Sequence, residues 1–230
     1  MRLTGHVVGH LTAPAGLWRE GDSALQMRRI PVPAYTVEHP EGLVLVDTGL
    51  HPGDPEQRYG AMARMFGWDA SWTIDRELGP ALDDVRFVVL THLHFDHAGG
   101  LDLVPRSATV VLPKADLDAD PEENGFQPLD YETGHPRVEV EGRYDLFGDG
   151  AIVLHPTPGH TPGHQSVQVG DVLIAADACY FPENLDDERL PAYGWNREIE
   201  RSSLRWIRQQ RDAGTRVLYG HDPTAGTFRG

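Results

Sequence analysis

A row of histidine and aspartate side chains stands directly after a predicted apolar strand in this sequence. The letters Val-Val-Leu-Thr lead into His-Leu-His-Phe-Asp-His, which holds His92, His94, Asp96 and His97 within six residues. In an extended chain, residues two apart project to the same side, so His92 and His94 can face one point. Asp96 and His97 precede a Gly-Gly pair, where the chain turns, and can face a second point nearby.

This set of donor atoms predicts a metal site. Imidazole with carboxylate suits zinc, manganese, iron or cobalt. Closed structural zinc sites are usually built from thiolates, and the chain has one cysteine, Cys179. The alternative is a surface turn rich in His and Asp that binds no metal, but four donors immediately after an apolar strand argue against it.

Further donors follow three later apolar runs. The stretch Thr-Pro-Gly-His-Thr-Pro-Gly-His offers His160 and His164, Asp177 ends a second run, and His221 ends the last. Strand ends at one edge of a sheet are common places for a functional site. Alone, each would be an ordinary turn residue, so they gain weight only beside the first cluster.

The distribution of apolar runs predicts one α/β domain over residues 1–230, with sheet packed on sheet and helices outside. Short runs rich in Val, Ile and Leu indicate strands. They cover residues 5–11, 33–38, 43–46, 85–90, 109–112, 151–154, 166–169, 172–175 and 216–219. Two helices are expected, a short one at 61–66 and a long one at 197–213 with Asn196 as its N-cap and Gly214 after its end.

Two segments, 116–142 and 182–195, lack such periodicity and are rich in Asp, Glu, Pro and Gly. They are expected to be long loops, which in compact domains often form lids or substrate walls. An apolar stretch at 62–68, together with Trp72, is a candidate wall for an acyl tail, although core packing explains it equally well.

Charge and composition exclude several classes of function. The chain of 230 residues has 20 basic and 35 acidic side chains, a net charge of −15, whereas nucleic-acid binding depends on neutralising phosphates with Lys and Arg. No apolar run reaches the ~18 residues of a membrane helix, and no secretory signal is recognised. The single cysteine excludes an intrachain disulfide. We therefore expect a cytoplasmic protein with a small-molecule partner, without nucleic-acid or membrane binding and with no oligomeric state specified.

The ordered donors resemble the pattern of the metallo-β-lactamase superfamily: HxHxDH, then a histidine, an aspartate and a histidine. The resemblance runs from the Val-Asp-Thr-Gly turn at 46–49 to the Gly-His-Asp at 220–222. It implies an αββα sandwich of two mixed sheets with flanking helices, and two divalent metal ions, zinc first, with manganese, iron or cobalt as alternatives. One ion would be bound by His92, His94 and His160, the other by Asp96, His97 and His221, with Asp177 bridging both.

Finer features are similar to the N-acyl homoserine lactonases, notably HLHFDHAGG, TPGHTPGHQS and the closing GHD. The resemblance implies that Tyr180, three residues after Asp177, lies over the metals; the alternative is a core aromatic. His164 is interpreted as supporting the site rather than binding metal. Cys179 departs from the serine of those lactonases and is expected to be a small buried residue. The 116–142 segment does not match that family.

The predicted activity is opening of an N-acyl homoserine lactone ring, a quorum-quenching hydrolysis of an acyl lactone or ester. Two ions can lower the pKa of a bridging water to about 7, and the resulting hydroxide attacks the carbonyl. Asp96, Asp177 and Tyr180 are the candidate catalytic residues. The alternatives are a thioesterase or broad esterase similar to glyoxalase II, an iron-dependent oxygenase, and a metal-binding protein without catalysis.

Overall fold

The strands of this protein pair into two sheets, which a computed structural model describes over residues 1–60, 71–73 and 79–230. The first sheet has the order β4-β1-β2-β3-β5-β6-β7. Its strands are β1 (Arg2–Pro14), β2 (Met27–His39), β3 (Gly42–Val46), β4 (Ser71–Thr73), β5 (Val85–Val89), β6 (Thr109–Pro113) and β7 (Arg137–Val140). β1, β2 and β3 pair antiparallel, and β3, β5, β6 and β7 pair parallel.

The second sheet is smaller and has the order β12-β11-β10-β9-β8. Its strands are β8 (Tyr144–Asp145), β9 (Ile152–Pro156), β10 (Gln165–Val169), β11 (Val172–Ala176) and β12 (Arg216–Tyr219). β11 and β12 are parallel, and the other neighbours are antiparallel. Both sheets are therefore mixed.

The alternation of side chains along each strand determines how the layers stack. Val44 and Val46 of β3 pack between the two sheets with Ile174 of β11, whereas Leu45 faces the opposite side of the first sheet. Successive side chains of a strand point to opposite faces, so a strand that is apolar at every position must be covered on both. The outer face of the second sheet is covered in part by Leu204 and Ile207.

Leu204 and Ile207 belong to the longest described helix. Over the described residues, the α-helices are α1 (Ala15–Trp18), α2 (Pro55–Tyr59), α3 (Phe95–Ala98), α4 (Lys114–Leu117), α5 (Pro121–Asn124), α6 (Pro128–Tyr131), α7 (Pro182–Asp187) and α8 (Arg197–Asp212). As predicted, the Asn196 side chain caps α8, accepting from the backbone amides of Glu198 and Ile199 at 3.1 Å each. The predicted αββα sandwich is confirmed.

Every predicted strand is present, but the two predicted loops were only partly correct. The 116–142 segment contains α5, α6 and β7, and the 182–195 segment contains α7. Each of these elements is four to six residues long, too short to produce a detectable period. β4 and β8 were missed for the same reason. The predicted helix at 61–66 lies outside the described residues.

The topology brings several strand ends to one edge. β5 leads towards His92, β11 ends immediately before Asp177, and β12 ends two residues before His221. Because β11 and β12 run parallel, with Ala176 opposite Tyr219, the residues that follow them are neighbours. Within the part of the chain that the structure describes, no helix is both long and apolar enough to cross a membrane.

Candidate metal centre

All seven predicted donor residues meet at this edge, and all are buried. They form two groups, within each of which one donor atom per residue lies within 4.8 Å of the others. The first metal group is His92, His94, His160 and Asp177, and the second metal group is Asp96, His97, Asp177 and His221. They contain the two ligand sets that the family resemblance implies.

Asp177 belongs to both groups because its two carboxylate oxygens face different histidines. Oδ2 lies 3.3 Å from Nε2 of His160 and 3.8 Å from Nε2 of His92. Oδ1 lies 3.2 Å from Nε2 of both His97 and His221. One carboxylate therefore stands between two sets of imidazoles, the arrangement that a bridging ligand requires.

In the first metal group, hydrogen bonds fix which ring nitrogen faces the centre. Nδ1 of His94 lies 3.0 Å from Nε2 of both His92 and His160. Away from the centre, Nδ1 of His92 lies 3.0 Å from the Thr91 hydroxyl, and Nε2 of His94 lies 3.0 Å from the Asn124 carbonyl oxygen. Such outer partners orient the imidazoles that bind metals.

The second metal group has its own supports. Nδ1 of His97 lies 2.8 Å from Oδ2 of Asp47, and Nδ1 of His221 donates to the Pro31 carbonyl at 2.8 Å. Asp47 also accepts from the backbone amide of Thr91 at 2.8 Å. It has a φ of +57°, which costs energy for a residue with a side chain. The sequence alone assigns Asp47 no role, because its contacts with Thr91 and His97 depend on β3 lying beside β5.

Ala176, which places the bridging carboxylate, has a similarly uncommon backbone. Its φ is +45°, and the register of β11 against β12 shifts just before it. A bulge in a strand redirects the side chains that follow. The chain here turns Asp177 out of the sheet and into the space between the histidines.

His164 lies behind the carboxylate and outside both metal groups. Its Nε2 accepts from the backbone amide of Asp177 at 3.1 Å, and its Nδ1 lies 2.9 Å from the Thr157 hydroxyl. The Thr157 hydroxyl is in turn 2.9 Å from that of Ser166. Burial lowers the pKa of His164 to about 3, so the ring is neutral and can accept through Nε2.

The chemistry of the donors fits metal ions. Burial lowers the pKa of His92 and of His160 well below the usual value, so both are neutral, the form that binds metal. For His97, burial is outweighed by three carboxylates, Asp177 first, and the pKa is raised well above the usual value. The second metal group therefore lies in a negative field that favours a cation.

Two buried atoms support the same fit. Nε2 of His97 and Oδ1 of Asp177 are 3.2 Å apart, yet neither makes a hydrogen bond with any residue that the structure describes. Buried polar atoms are nearly always paired. A metal ion that these two residues would hold together would satisfy both atoms, and the fit of a two-metal site to these residues is good.

Tyr180 lies over both groups. Its ring centroid is 4.7 Å from that of His221 and 5.9 Å from that of His160. Burial, with the nearby Asp177 and Asp96 carboxylates, raises the Tyr180 pKa well above its usual value, so the hydroxyl keeps its proton.

The neighbouring Cys179 is buried, as predicted, and its thiol donates to the Phe181 carbonyl at 3.3 Å. Burial raises its pKa. Because the thiolate is the nucleophilic form of cysteine, this side chain is unsuited to attack a substrate.

The two segments predicted to be loops border the centre. The rings of Phe126 and Tyr193 have centroids 5.4 and 5.5 Å from that of His94, and Tyr193 is 43% exposed. The segments thus bring an apolar edge beside the first metal group. The other candidate wall, 62–68 with the Trp72 side chain, lies outside the described residues.

Comparison with known proteins identifies the family of this chain. The family profile of the metallo-beta-lactamase superfamily matches residues 27–221. N-acyl homoserine lactonase AttM of Azorhizobium caulinodans is 29% identical over 85% of this chain and 83% of its own length. N-acyl homoserine lactonase AiiA of Bacillus thuringiensis subsp. kurstaki is 30% identical over 86% of this chain and 83% of its own.

A solved structure shares the fold: an N-acyl homoserine lactone hydrolase with the product N-hexanoyl-L-homoserine at its catalytic metal centre. It superposes with a TM-score of 0.83 at 24% identity, covering 96% of this chain and 93% of that one. The resemblance seen in the sequence motifs is confirmed, and this chain belongs to the metallo-beta-lactamase superfamily.

Proposed function

We propose that this protein is a two-metal hydrolase that opens N-acyl homoserine lactones to the free N-acyl homoserines. The observation that carries the proposal is the placement of Asp177, with one oxygen facing each metal group, beneath the ring of Tyr180. The similarity to AttM and AiiA, both N-acyl homoserine lactonases, supports the choice of substrate.

His92, His94 and His160 would hold one ion, and Asp96, His97 and His221 the other, with Asp177 shared. Zinc is the first candidate because the donors are imidazole nitrogens and carboxylate oxygens. When bound, such a pair lowers the pKa of a coordinated water towards neutrality and supplies the nucleophile.

The residues of the chain itself supply two further functions. The Tyr180 hydroxyl, which keeps its proton, can donate a hydrogen bond to the carbonyl oxygen as it becomes an oxyanion. Asp96, whose Oδ2 is 3.7 Å from Nε2 of His97, and Asp177 can carry a proton to the leaving alkoxide. No covalent intermediate is required, in keeping with the buried Cys179 thiol.

The apolar edge beside His94 suits the acyl tail of the substrate. Phe126 is buried, whereas Tyr193 combines contact with the His94 ring and exposure to solvent. A tail leaving the centre along Tyr193 would bury apolar surface on both partners. The net charge of −15 disfavours a nucleic-acid substrate, and the single unpaired cysteine is compatible with the reducing cytoplasm, where we place the protein and its quorum-quenching activity.

A substrate panel with metal analysis tests the proposal. Purified protein supplied with zinc, manganese, iron or cobalt should open homoserine lactones of several acyl lengths, measured as proton release and by mass. Elemental analysis should approach two ions per chain, and Asp177→Ala should lower the occupancy of both sites because both share this ligand. Cleavage of thioesters with all lactones untouched would overturn the substrate, and full activity with one tightly bound ion would overturn the bridging role.

A further inference from the structure

Asp116 is a fully buried carboxylate that belongs to neither metal group. It lies in α4, the short helix after β6, and none of its surface is exposed. Burying a carboxylate is costly unless it is hydrogen-bonded, so its partners show what its burial stabilises. Oδ2 accepts from the Leu93 backbone amide at 3.3 Å and from the Thr161 hydroxyl at 3.0 Å, and Oδ1 accepts from the Gly163 backbone amide at 2.6 Å.

All three donors come from the two segments that carry the histidines of the first metal group. Leu93 stands between His92 and His94, and Thr161 follows His160 directly. One carboxylate therefore ties together two segments about 70 residues apart in sequence, at the point where Nε2 of His160 meets Nδ1 of His94. The partners found for the second metal group are different, namely Asp47 for His97 and Pro31 for His221.

Gly163 makes this close approach possible. A Cβ atom at position 163 would lie 2.7 Å from the Asp116 backbone nitrogen and 2.9 Å from Oδ1. Both separations are shorter than real Cβ contacts, and the first involves backbone that cannot rotate away. The local sequence is thus fitted to seat the Asp116 carboxylate against the His160 segment.

We propose that Asp116 is a positioning residue that fixes the spacing of His92, His94 and His160 and thereby sets the affinity of the first metal group for its ion. The proposal rests on the two-metal assignment made above but not on the identity of the substrate. Outer partners of metal ligands typically contribute about 10–100-fold in metal affinity. Here one outer carboxylate would position three ligands through the backbone segments that carry them. It would thereby affect the binding of one of the two ions.

The test is Asp116→Asn, which keeps the shape of the side chain but replaces one accepting oxygen with an NH₂ group that faces a donor. Metal affinities are measured by competition with a chelator, and cobalt-loaded protein is followed by its absorption spectrum. One ion should bind about 10–100-fold more weakly, while the affinity for the other is unchanged. At a free metal concentration between the dissociation constants of the affected site in the two proteins, the variant should therefore hold one ion per chain where the unchanged protein holds two.

Asp130→Asn is the matched control. Asp130 is equally buried but is paired with Arg58, whose Nε lies 2.9 Å from Oδ1, and no metal-group segment donates to it among the described residues. If both variants lowered the affinity for the same ion equally, the effect would come from a general loosening of the fold, and the proposal would be overturned. If Asp116→Asn does not fold, Gly163→Ala provides the second variant, because it pushes the same contact apart without changing charge.

Unchanged affinity for both ions in Asp116→Asn, or in Gly163→Ala where that variant must serve, overturns the proposal. The metal content of the unchanged protein separates this failure from failure of the proposed function. A protein that binds fewer than two ions overturns the two-metal assignment and this proposal with it. A protein that binds two ions and leaves lactones intact overturns only the substrate.

Discussion

The Nε2 atom of His164 accepts a hydrogen bond from the backbone amide of Asp177 at 3.1 Å. The second histidine of the TPGHTPGH stretch thus supports the shared carboxylate from behind, while the first, His160, faces it from the front at 3.3 Å. His160 and His164, which belong to one turn, therefore contact Asp177 from two sides. Substituting either histidine tests its contact separately.

Replacing His164 with leucine should destabilise the protein. The buried amide of Asp177 would lose its acceptor, and an unpaired buried donor costs about 1–3 kcal/mol. Chemical unfolding of the metal-free protein measures this cost. His155→Leu is the control, because His155 is only partly buried and pairs with Gln168. Equal, small losses for the two variants would contradict the role of His164 in supporting Asp177.

Tyr180→Phe should reduce kcat without changing metal content. The variant removes one donor to the developing oxyanion and keeps the ring against His221 and His160. Because the bound ions share that charge, we expect a loss of about tenfold, or 1.4 kcal/mol. Steady-state kinetics and elemental analysis measure the two effects, and Tyr144→Phe, remote in β8, is the control. If the variant kept the wild-type kcat/KM, Tyr180 would be a packing residue. If the variant lost metal, the role of Tyr180 would be structural.

Tyr193→Ala should weaken binding of long acyl chains more than of short ones. Tyr193 offers a partly exposed ring beside His94, so its removal takes contact area from the tail and not from the lactone. We expect KM to rise about fivefold, or roughly 1 kcal/mol, for long-chain lactones, with kcat little changed. Short-chain lactones serve as the internal control. A uniform rise for all chain lengths would place the tail elsewhere.

Glu200 should make stability depend on pH. Burial raises its pKa from 4.5 to about 7, against the opposing charge of Arg197. Because the folded state holds the proton more tightly, this stabilisation is complete below about pH 4.5 and is lost as the pH rises through about 7. The shift corresponds to a free energy on the order of 3 kcal/mol.

Glu200→Gln removes that titration. The stability of the variant relative to the unchanged protein should therefore rise between pH 5 and pH 8, as measured by chemical unfolding at each pH. Glu198→Gln, at an exposed position of the same helix, is the control. Parallel stability curves for Glu200→Gln and the unchanged protein across this range would show that Glu200 does not titrate as described.

Those parts of the protein that depend on neighbouring residues could be predicted from the sequence. Apolar runs marked the strands because a strand that is covered on both faces is apolar at nearly every position. Asn196 marked the start of α8 because a cap bonds only the next two or three amides. The row from His92 to His97 indicated metal chemistry because its donors are adjacent in the chain.

Features that depend on distances between segments remote in sequence became visible only in the folded chain. Asp177 faces two groups of histidines because β11 pairs with β12 and because the backbone of Ala176 turns the carboxylate out of the sheet. Neither feature has a local signature in the sequence. Asp116 and Asp47 read as ordinary acidic residues in the sequence. Their importance arises only because folding buries them, and a buried carboxylate must find hydrogen-bond donors wherever the packed chain supplies them.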